Sequence, residues 1–591
     1  GNMKTSSDYK LLSKLYFRLL PYQALLLLIN AANGIVDSLF ASNFIGTTAM
    51  SAIGFYSPLT HFLFSISIML VSGSQLLVGK AMGQIRKDEV NRLFSADILL
   101  SLIISVLTAL LLSLVAACGA FGIFVKDPVE LHSLNMYIYG QSIGIPALVL
   151  GQQLFSFLSM ENQTKRTMTA SVCCVIANTL LDYTFVSVLQ MDTLGLGIGS
   201  SLGLWTFCLV MAQYYFAGKS KMRFSVKEFN LRDCTSIMRL GYPGAISRFV
   251  EMFRCFVVNI LILSCVGSVG LSAFAAVNSV MAVFWPIPFG MVAVTRMLLG
   301  ISIGEEDRKS VTDIMRVTYI RCFIVQCVLS GVIVALATPL TRMFYRDLSD
   351  SVYDMTLMGF RILPLCMPLA VISLTAVAYA QAMEKKFLSH VLPIVDGAIG
   401  VVSLSLFMIP MWKMNGLYIA NVLNGVICFS LILGYAWYSG KRFPKNMESF
   451  LVLPDDFGAP KEQRIDIEIR SSKEVTKISE RVLAFCKENQ IDGQRAFRAA
   501  LAMEEMAGNV IGHGFTKDSG SHSLDIRVIK KDDDLILRLR DDCKAFDPMQ
   551  RADLFDPDDL TKNVGIRLMN EITKDAKYQN LLGMNVLTMR L

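Results

Sequence analysis

The sequence predicts an all-α polytopic membrane region of twelve spans, arranged as two pseudo-symmetric six-helix halves, followed by a C-terminal α+β two-layer sandwich. The chain is 53% hydrophobic with a mean hydropathy of +0.50, and its apolar stretches are repeatedly long enough to cross a bilayer. Charge is concentrated at the end. Residues 460–591 hold 22 of the 55 Lys/Arg and 23 of the 48 Asp/Glu, leaving 33 and 25 for the much longer segment before them. This rise in the density of charged residues predicts a soluble domain after the membrane region.

The loops between the predicted spans indicate their orientation. Loops rich in Lys and Arg alternate with short, nearly neutral ones, so the positive-inside rule places both termini in the cytoplasm, at the cytoplasmic (inner) membrane. The basic segment Gly218–Asp233 lies at the middle of the membrane region. The expected spans are 15–40, 53–80, 93–118, 135–158, 167–189, 194–216, 240–265, 272–298, 317–339, 355–382, 387–410 and 416–438.

The two halves are related by a repeat with a constant offset of 221 residues. Seven residues recur at this offset: Gly46, Ser51, Ala52, Gly79, Gly83, Gly195 and Leu196 recur as Gly267, Ser272, Ala273, Gly300, Gly304, Gly416 and Leu417. Six spans per half give both halves the same orientation, and such parallel repeats enclose a central site. The predicted divisions are an N-terminal half (1–217), an inter-half loop (218–238), a C-terminal half (239–438), a linker (439–461) and the soluble domain (462–591).

Ionisable residues inside the spans are functional candidates because burying charge in a membrane is unfavourable. Asp37 lies deep in the first span, and Asn178 and Asp182 lie one turn apart on one face of the fifth. Residues 10–440 resemble the multidrug and toxic compound extrusion (MATE) family through the order of these residues, an AxG at Ala52, the GxxxG of Gly79–Gly83 and a glutamate in span seven. The resemblance implies a protein that is surrounded by membrane lipids and exports small organic molecules. It also implies that Asp37, Asn178 and Asp182 bind H⁺ or Na⁺. The alternative is that Asp182 is an interhelical hydrogen-bonding group.

Charged residues in the C-terminal half depart from that family's pattern. Glu251 matches a cation-site glutamate, but the acidic partner that the resemblance implies in span ten is missing, and Arg361 is found there instead. Arg248 and Arg254 flank Glu251 at three-residue spacing, which allows local neutralisation of charge. The alternative is that Arg248, Arg254 or Arg361 makes the substrate cavity basic and favours anionic substrates.

The soluble domain contains one helix with three polar residues on a single face. In Ala499–Phe515, Glu505, Asn509 and His513 follow each other at four-residue steps. A carboxylate in this position can act as a base, and an amide oxygen can hold Mg²⁺ beside phosphates. Flanking strand patterns with period two, around the acidic turn Asp532–Asp534, predict the α+β sandwich.

Residues 462–591 resemble the GHKL ATP-binding fold, most closely the serine-kinase branch of anti-sigma factors. The resemblance implies bound ATP and Mg²⁺, with Glu505 as general base, Asn509 as the Mg²⁺ ligand, Asp541 accepting from the adenine amino group, and His513, Phe546 and Gly565 in the cofactor site. Cys543 and Ala545 stand where glycines are usual, and the lid at 549–563 is acidic and short of glycine. These departures leave three alternatives: nucleotide binding alone, ATPase or serine-kinase activity, or a scaffold without nucleotide.

These expectations combine into an ion-coupled MATE-like exporter regulated by a fused cytoplasmic ATP-binding domain. Two alternatives remain: a membrane receptor whose tail phosphorylates or sequesters a STAS-type or sigma-factor-like cytosolic protein, and a lipid-carrier flippase. The basic loops are explained by topology, so no nucleic-acid partner is expected. The thirteen cysteines have no CxxC or metal-ligand spacing and are expected to be reduced.

Overall fold

The computed structural model describes residues 10–123, 125–515, 522–545 and 571–591. Two helical halves lie side by side. The helices of the N-terminal half are α1 (Lys10–Phe40), α2 (Thr47–Gly83), α3 (Lys87–Ala117), α4 (Pro128–Met160), α5 (Thr164–Asp182) and α6 (Asp192–Phe216). The C-terminal half contains α7 (Leu231–Cys265), α8 (Ser268–Phe284), α9 (Pro286–Gly304), α10 (Arg308–Arg316), α11 (Phe323–Ala335), α12 (Ala337–Phe344), α13 (Ser351–Ile362), α14 (Cys366–Ala382), α15 (Lys386–Ile394) and α16 (Gly400–Gly440).

The described helices account for twelve spans. Ten helical stretches are long and apolar enough to cross a membrane, and several join two of the helices above, such as Val269–Gly304 and Ser351–Ala382. The stretch Lys386–Gly440 is 55 residues long and is interrupted at Lys413, whose φ is 57°, so it supplies two spans. The 35-residue helix α7, which is richer in charge, completes the twelve. Exposed side chains on α3, such as Leu107 and Leu110, form a surface suited to lipid tails.

Short π-helical turns interrupt several spans. They occupy Ala41–Ile45, Tyr183–Val188, Val317–Cys322 and Val395–Ile399. Such turns are common at functional sites. The second follows Asp182 directly, and the fourth contains Asp396.

Glycines that are related by the repeat meet at the contact between the halves. A Cβ on Gly79 would lie 3.0 Å from the Gly300 Cα, and a Cβ on Gly304 would overlap the Lys80 carbonyl. Gly79 and Gly300 are 221 positions apart, so they occupy equivalent positions in the two halves. Equivalent residues can touch only near the pseudo-twofold axis that relates the halves, and this contact therefore lies on that axis. The GxxxG pattern therefore brings α2 and α9 together backbone to backbone.

The soluble domain is a two-layer α+β sandwich, as the sequence predicts. In the described part of this domain, five antiparallel strands pair in the order β1-β2-β3-β5-β4, and α18 (Thr476–Glu488) and α19 (Gly493–Gly514) cover one face. A short helix α17 (Met447–Leu451) lies in the linker. The strands are β1 (Arg464–Ile469), β2 (Leu524–Lys531), β3 (Asp534–Asp541), β4 (Asp575–Leu581) and β5 (Met584–Arg590). Alternate side chains of β2 and β3 point away from α18 and α19 and contact the membrane region.

Candidate functional sites

A buried polar cluster, here called the ion cluster, lies inside the N-terminal half. It consists of Asn33 and Asp37 of α1, Asn178 and Asp182 of α5, and Ser200 of α6. Ser200 donates to the Asp37 carboxylate at 2.5 Å, and Asn178 Nδ2 donates to Asn33 Oδ1 at 3.3 Å. The Asp37 and Asp182 carboxyl groups are close enough to influence each other electrostatically. The structure thus brings together all three ion-site residues that the sequence singles out.

Several oxygens of the ion cluster are buried and lack a hydrogen-bond donor among the described residues. They are Asp37 Oδ1, Asn178 Oδ1 and both carboxylate oxygens of Asp182. A glycine makes room for them, because a Cβ on Gly199 of α6 would overlap Asp182 Oδ1. Buried oxygens without donors are unfavourable unless a proton or a cation satisfies them. The cluster therefore has the chemistry of a site for H⁺ or Na⁺.

A cavity of about 570 Å³, the C-half cavity, lies within the C-terminal half and is lined by Arg248, Glu251, Arg254 and Asp396, among others. Arg254 pairs with Glu251 at 2.8 Å, which is the local neutralisation that their spacing allows. The Arg248 guanidinium lies over the Phe289 ring, 4.0 Å from its centroid. Arg248 has no ion pair of comparable length among the described residues.

Two residues change the expected composition of this cavity. Arg361 is exposed on α13 and does not line the C-half cavity. Asp396, in the π-helical turn of span eleven, lines it and interacts electrostatically with Arg254, and Asn424 donates to its carboxylate at 3.3 Å. The acidic group that is missing from span ten is thus supplied by span eleven. The rule that singled out Asp37 also applies to Asp396, since both are ionisable residues within an apolar span.

A second cavity, the inter-half cavity, lies between the two halves and has a volume of about 110 Å³. It shares Leu27, Ser247, Arg248, Phe289 and Leu374 with the C-half cavity, so the two are contiguous. Arg296 of α9 lines it and donates through Nε to Gln75 of α2 at 3.0 Å. Arg296 does not stand out in the sequence, because it is near the end of span eight and can be counted with the basic loop that follows.

The soluble domain has a cavity of about 100 Å³, the nucleotide cavity, between α19 and the sheet. Asn509, His513 and Asp541 line it together with Lys544 and Tyr578. Asn585 Nδ2 and the Cys543 amide each donate to Asp541 Oδ1 at 3.0 Å, which leaves acceptor capacity on Oδ2. Burial raises the pKa of Asp541, although these hydrogen bonds oppose the shift. The structure therefore collects three of the predicted cofactor residues around one cavity.

The other predicted residues of this site are placed differently. Glu505 is exposed one turn before Asn509 on α19 and does not line the cavity. Phe546 and Gly565 lie outside the described residues. Cys543 lines the cavity where the GHKL pattern has a glycine, and its Sγ is the atom that a Cβ on Gly514 would meet.

The soluble domain contacts both halves through a docking interface of ion pairs. Arg538 binds Glu305 and Asp307 of the α9–α10 loop at 2.6 and 2.5 Å, and Arg527 pairs with Asp307 at 3.2 Å. Burial by itself would raise the pKa of Asp307, but Arg538, Arg527 and Arg540 outweigh it and hold the pKa well below its usual range. This side of the interface belongs to the C-terminal half.

The N-terminal half meets the same domain through α1 and α2. Lys14 pairs with Asp542 at 2.8 Å, next to Asp541 of the nucleotide cavity. Arg18 donates to the Leu582 carbonyl in the β4–β5 turn, and Gln579 donates to the Met82 carbonyl at 3.0 Å. Leu581 and Leu582 join the hydrophobic core that includes Leu11 and Leu15 of α1. The soluble domain therefore contacts both halves.

Family models match both parts of the chain. The MatE model matches residues 24–184 and 243–395, which is more than half of the chain. The model of the histidine kinase-like ATPase domain matches residues 470–591.

Curated relatives resemble the membrane region. The chain is 24% identical over 346 residues to the probable multidrug resistance protein NorM of Listeria monocytogenes, covering 54% of this chain and 70% of that protein. It is 23% identical over 270 residues to the probable NorM of Photorhabdus laumondii, covering 44% of this chain and 57% of that protein, less than two thirds of its length.

Solved structures share the fold of the membrane region. A crystal structure of MATE in complex with MaL6 matches with a TM-score of 0.65 at 18% identity, covering 71% of this chain and 95% of that one. A multidrug resistance MATE family transporter of the MOP superfamily, in an outward-facing conformation, matches with a TM-score of 0.65 at 16% identity, covering 75% and 97%. At these identities the likeness concerns the fold alone.

Proposed function

This chain belongs to the MatE family of membrane transporters and ends in a histidine kinase-like ATPase domain, and from this premise we propose that it is an ion-coupled exporter of small organic molecules whose fused domain binds Mg²⁺-ATP and regulates transport. The cytoplasmic (inner) membrane, with both termini in the cytoplasm, is the location that the basic loops favour. The observation that carries the proposal is the ion cluster, with its four buried oxygens that lack donors.

Ion coupling follows from the two carboxyl groups of the cluster. When both are ionised in a low-dielectric interior, Asp37 and Asp182 repel each other, and binding of H⁺ or Na⁺ removes that repulsion. Because Asp37 is on α1 and Asp182 is on α5, occupancy changes the force between these two helices. Release of the ion on one side of the membrane then favours a different arrangement of α1, which also lines the inter-half cavity through Gln23 and Leu27.

The nucleotide cavity supplies the regulatory site. Asn509 is suited to hold Mg²⁺ through its amide oxygen, Asp541 to accept a hydrogen bond from adenine, and Lys544 to contact phosphate. When bound, ATP and Mg²⁺ would bring a triphosphate charge and a divalent cation to the cavity. Glu505 precedes Asn509 by one turn of α19 and is the residue proposed as base in phosphoryl transfer, so ATPase or serine-kinase activity is part of the proposal.

The docking interface supports coupling between nucleotide and transport. Asp541 faces the nucleotide cavity, while its neighbour Asp542 pairs with Lys14 of α1. A nucleotide that moves this segment changes a contact with the helix that holds Asp37. Because Arg538 of the same domain also binds Asp307 in the C-terminal half, the domain restrains separation of the two halves on the cytoplasmic side. Mg²⁺-ATP is therefore expected to change the rate of export by altering this restraint.

Flux in proteoliposomes tests the export proposal. The full chain is reconstituted, a proton or sodium gradient is imposed separately, and efflux of rhodamine 123 and fluorescein is followed. Export driven by one gradient, lost in Asp37→Asn and retained in Asp88→Asn, is the expected result. Asp88 is the control, since it is an exposed acid at the start of α3 in the same half and lies outside the ion cluster.

The contrary outcomes separate the alternatives. Gradient-driven flux that is unchanged in Asp37→Asn removes this residue from coupling. Absence of flux of any dye under either gradient, with intact Mg²⁺-ATP binding, would favour the receptor, whose tail would act on a STAS-type or sigma-factor-like protein.

A further inference from the structure

The inter-half cavity carries positive charge from two arginines. Arg296 and Arg248 line it, and among the described residues that line it none is Asp or Glu. Each arginine is close enough to influence the other electrostatically. Glu251, the acid that acts electrostatically on Arg248, is bound to Arg254 at 2.8 Å in the adjoining C-half cavity. Over both cavities the count is three arginines against two acids, Glu251 and Asp396.

Donors in this cavity remain available for a ligand. Arg296 is 8% exposed, and one of its five N–H groups is used by Gln75. Gln23 is 6% exposed, and its Nε2 has no acceptor among the described residues. A buried amide donor and a buried guanidinium without a carboxylate are both costly unless an acceptor reaches them. Their convergence on one cavity indicates an anionic acceptor.

The repeat shows that this charge is confined to one half. Position 296 is related to position 75 by the 221-residue offset, and position 248 is related to position 27. The N-terminal half therefore has a neutral glutamine and a leucine where the C-terminal half has two arginines. Arg296 and Gln75 touch each other at the pseudo-twofold axis, so the charge lies at the centre of the molecule and not on its lipid-facing surface.

The remaining lining is suited to an apolar body attached to the anion. Phe64, Phe155 and Phe289 line the cavity with several aliphatic side chains, and Phe289 also carries the Arg248 guanidinium on its ring. Planar guanidinium groups bind carboxylate and sulfonate oxygens in a fixed, two-pronged geometry.

From these contacts we infer that the inter-half cavity binds the anionic group of an aromatic organic anion, through Arg296 and Arg248. This inference rests on the proposed export function, for which it specifies the class of substrate. The bound anion would accept from the free guanidinium N–H groups and from Gln23, and its ring system would lie among the three phenylalanines.

Two dyes that share a xanthene ring system but differ in charge provide the test. Binding of fluorescein, an anion, and rhodamine 123, a cation, to the purified full chain in detergent is measured by fluorescence polarisation. Arg296→Gln and Arg248→Leu reproduce the residues that the N-terminal half has at the equivalent positions. Each is expected to weaken fluorescein binding about tenfold or more without weakening rhodamine 123 binding. Arg361→Gln, which removes an exposed arginine outside both cavities, is expected to change neither.

The inference is overturned if fluorescein affinity is unchanged in both cavity variants, if fluorescein does not bind saturably to the unsubstituted chain, or if the loss is equal for Arg361→Gln. Use of two cavity variants guards against misfolding of one. Failure of the export function is distinguishable, because it would leave arginine-dependent fluorescein binding without flux under either gradient. Rhodamine 123 flux without fluorescein binding would retain the exporter and remove the anion site.

Discussion

At the scale of single residues, the nucleotide cavity depends on two side chains with separate tasks. Asn509 and Asp541 come from α19 and the end of β3, and they line the same cavity from opposite layers of the sandwich. In the proposed function, Asn509 would hold Mg²⁺ and Asp541 would accept a hydrogen bond from the adenine amino group. Substitution of each is therefore expected to affect nucleotide binding in a different way.

Asn509→Ala is expected to weaken Mg²⁺-ATP binding to the full chain about tenfold or more, because it removes an oxygen ligand of the cation. Isothermal titration calorimetry with and without Mg²⁺ measures this. Gln494→Ala, at an exposed position near the start of the same helix, is the control and is expected to bind normally. Equal affinity in all three proteins would show that Asn509 does not hold the metal.

ATP affinity is expected to fall at mildly acidic pH because of Asp541. Burial raises the pKa of this carboxyl, so it takes up a proton at a higher pH than a free aspartate, whose pKa is about 3.9. The adenine amino group is expected to bind more tightly to the ionised carboxylate than to the protonated acid, which is the weaker acceptor. Because the pKa of Asp541 is higher in the folded chain than in the unfolded chain, protonation of this carboxyl favours folding. This stabilisation is fully present below the unfolded pKa and is lost as pH rises through the folded pKa.

Calorimetric titrations with ATP over a pH series check this expectation, with Asp541→Asn as the control. The variant has no carboxyl at this position, and its weaker binding is expected to vary less with pH. An equal pH dependence in both proteins would assign the effect to another group, such as His513, which lines the same cavity.

At the scale of elements, the contact between α2 and α9 depends on glycines that the repeat places opposite each other. A Cβ on Gly304 would overlap the Lys80 carbonyl and lie 2.7 Å from the Lys80 Cα. Backbone atoms cannot move aside as a flexible side chain can, so the helices would have to separate. The GxxxG patterns are visible in the sequence, but their mutual contact is not.

Gly304→Ala is expected to destabilise the membrane region by about 1–3 kcal/mol through overpacking, which lowers the midpoint of thermal unfolding in detergent. Gly434→Ala, in α16 of the same half, is the matched control because a Cβ there meets nothing within 4 Å. The control is expected to unfold at the temperature of the unsubstituted chain or above it, since alanine favours helix over glycine. Identical midpoints for the two variants would contradict the close contact of α2 and α9.

At the scale of the whole molecule, the docking interface joins the soluble domain to both halves. Its centre is the buried pair of Arg538 with Asp307, and loss of one partner of such a pair costs about 3–5 kcal/mol because the other charge stays buried. Because the pKa of Asp307 is lowered in the folded chain, the ionised carboxylate stabilises the folded, docked chain. This stabilisation is present above the unfolded pKa and is lost as pH falls through the folded pKa. Docking is therefore expected to be independent of pH in the neutral range.

Arg538→Gln is expected to release the domain from the α9–α10 loop. Hydrogen exchange on the full chain is expected to show faster exchange in that loop and in β3, and the effect of Mg²⁺-ATP on flux is expected to diminish. Arg498→Gln, on an exposed part of α19, is the control. Retained protection and retained nucleotide control in Arg538→Gln would exclude this ion pair from the coupling.

The sequence by itself determined the spans, their grouping into two repeats, the soluble sandwich and much of each candidate site. Hydropathy and charge density follow from the solvent that each segment must face, and Asp37, Asn178 and Asp182 stand out because polar groups are rare in spans. Side-chain periodicity likewise placed Asn509 and His513 on one helix face.

Only the tertiary structure decided which of these residues share a cavity. Helix packing turned Arg361 outward, brought Asp396 to Glu251 and Arg254, and set Arg296 against Gln75 on the pseudo-twofold axis. It also placed the sheet of the soluble domain across both halves. These contacts join residues separated by tens to hundreds of positions, and local pattern does not specify the rotation of one helix relative to another. That rotation is fixed by the close packing of many side chains at once.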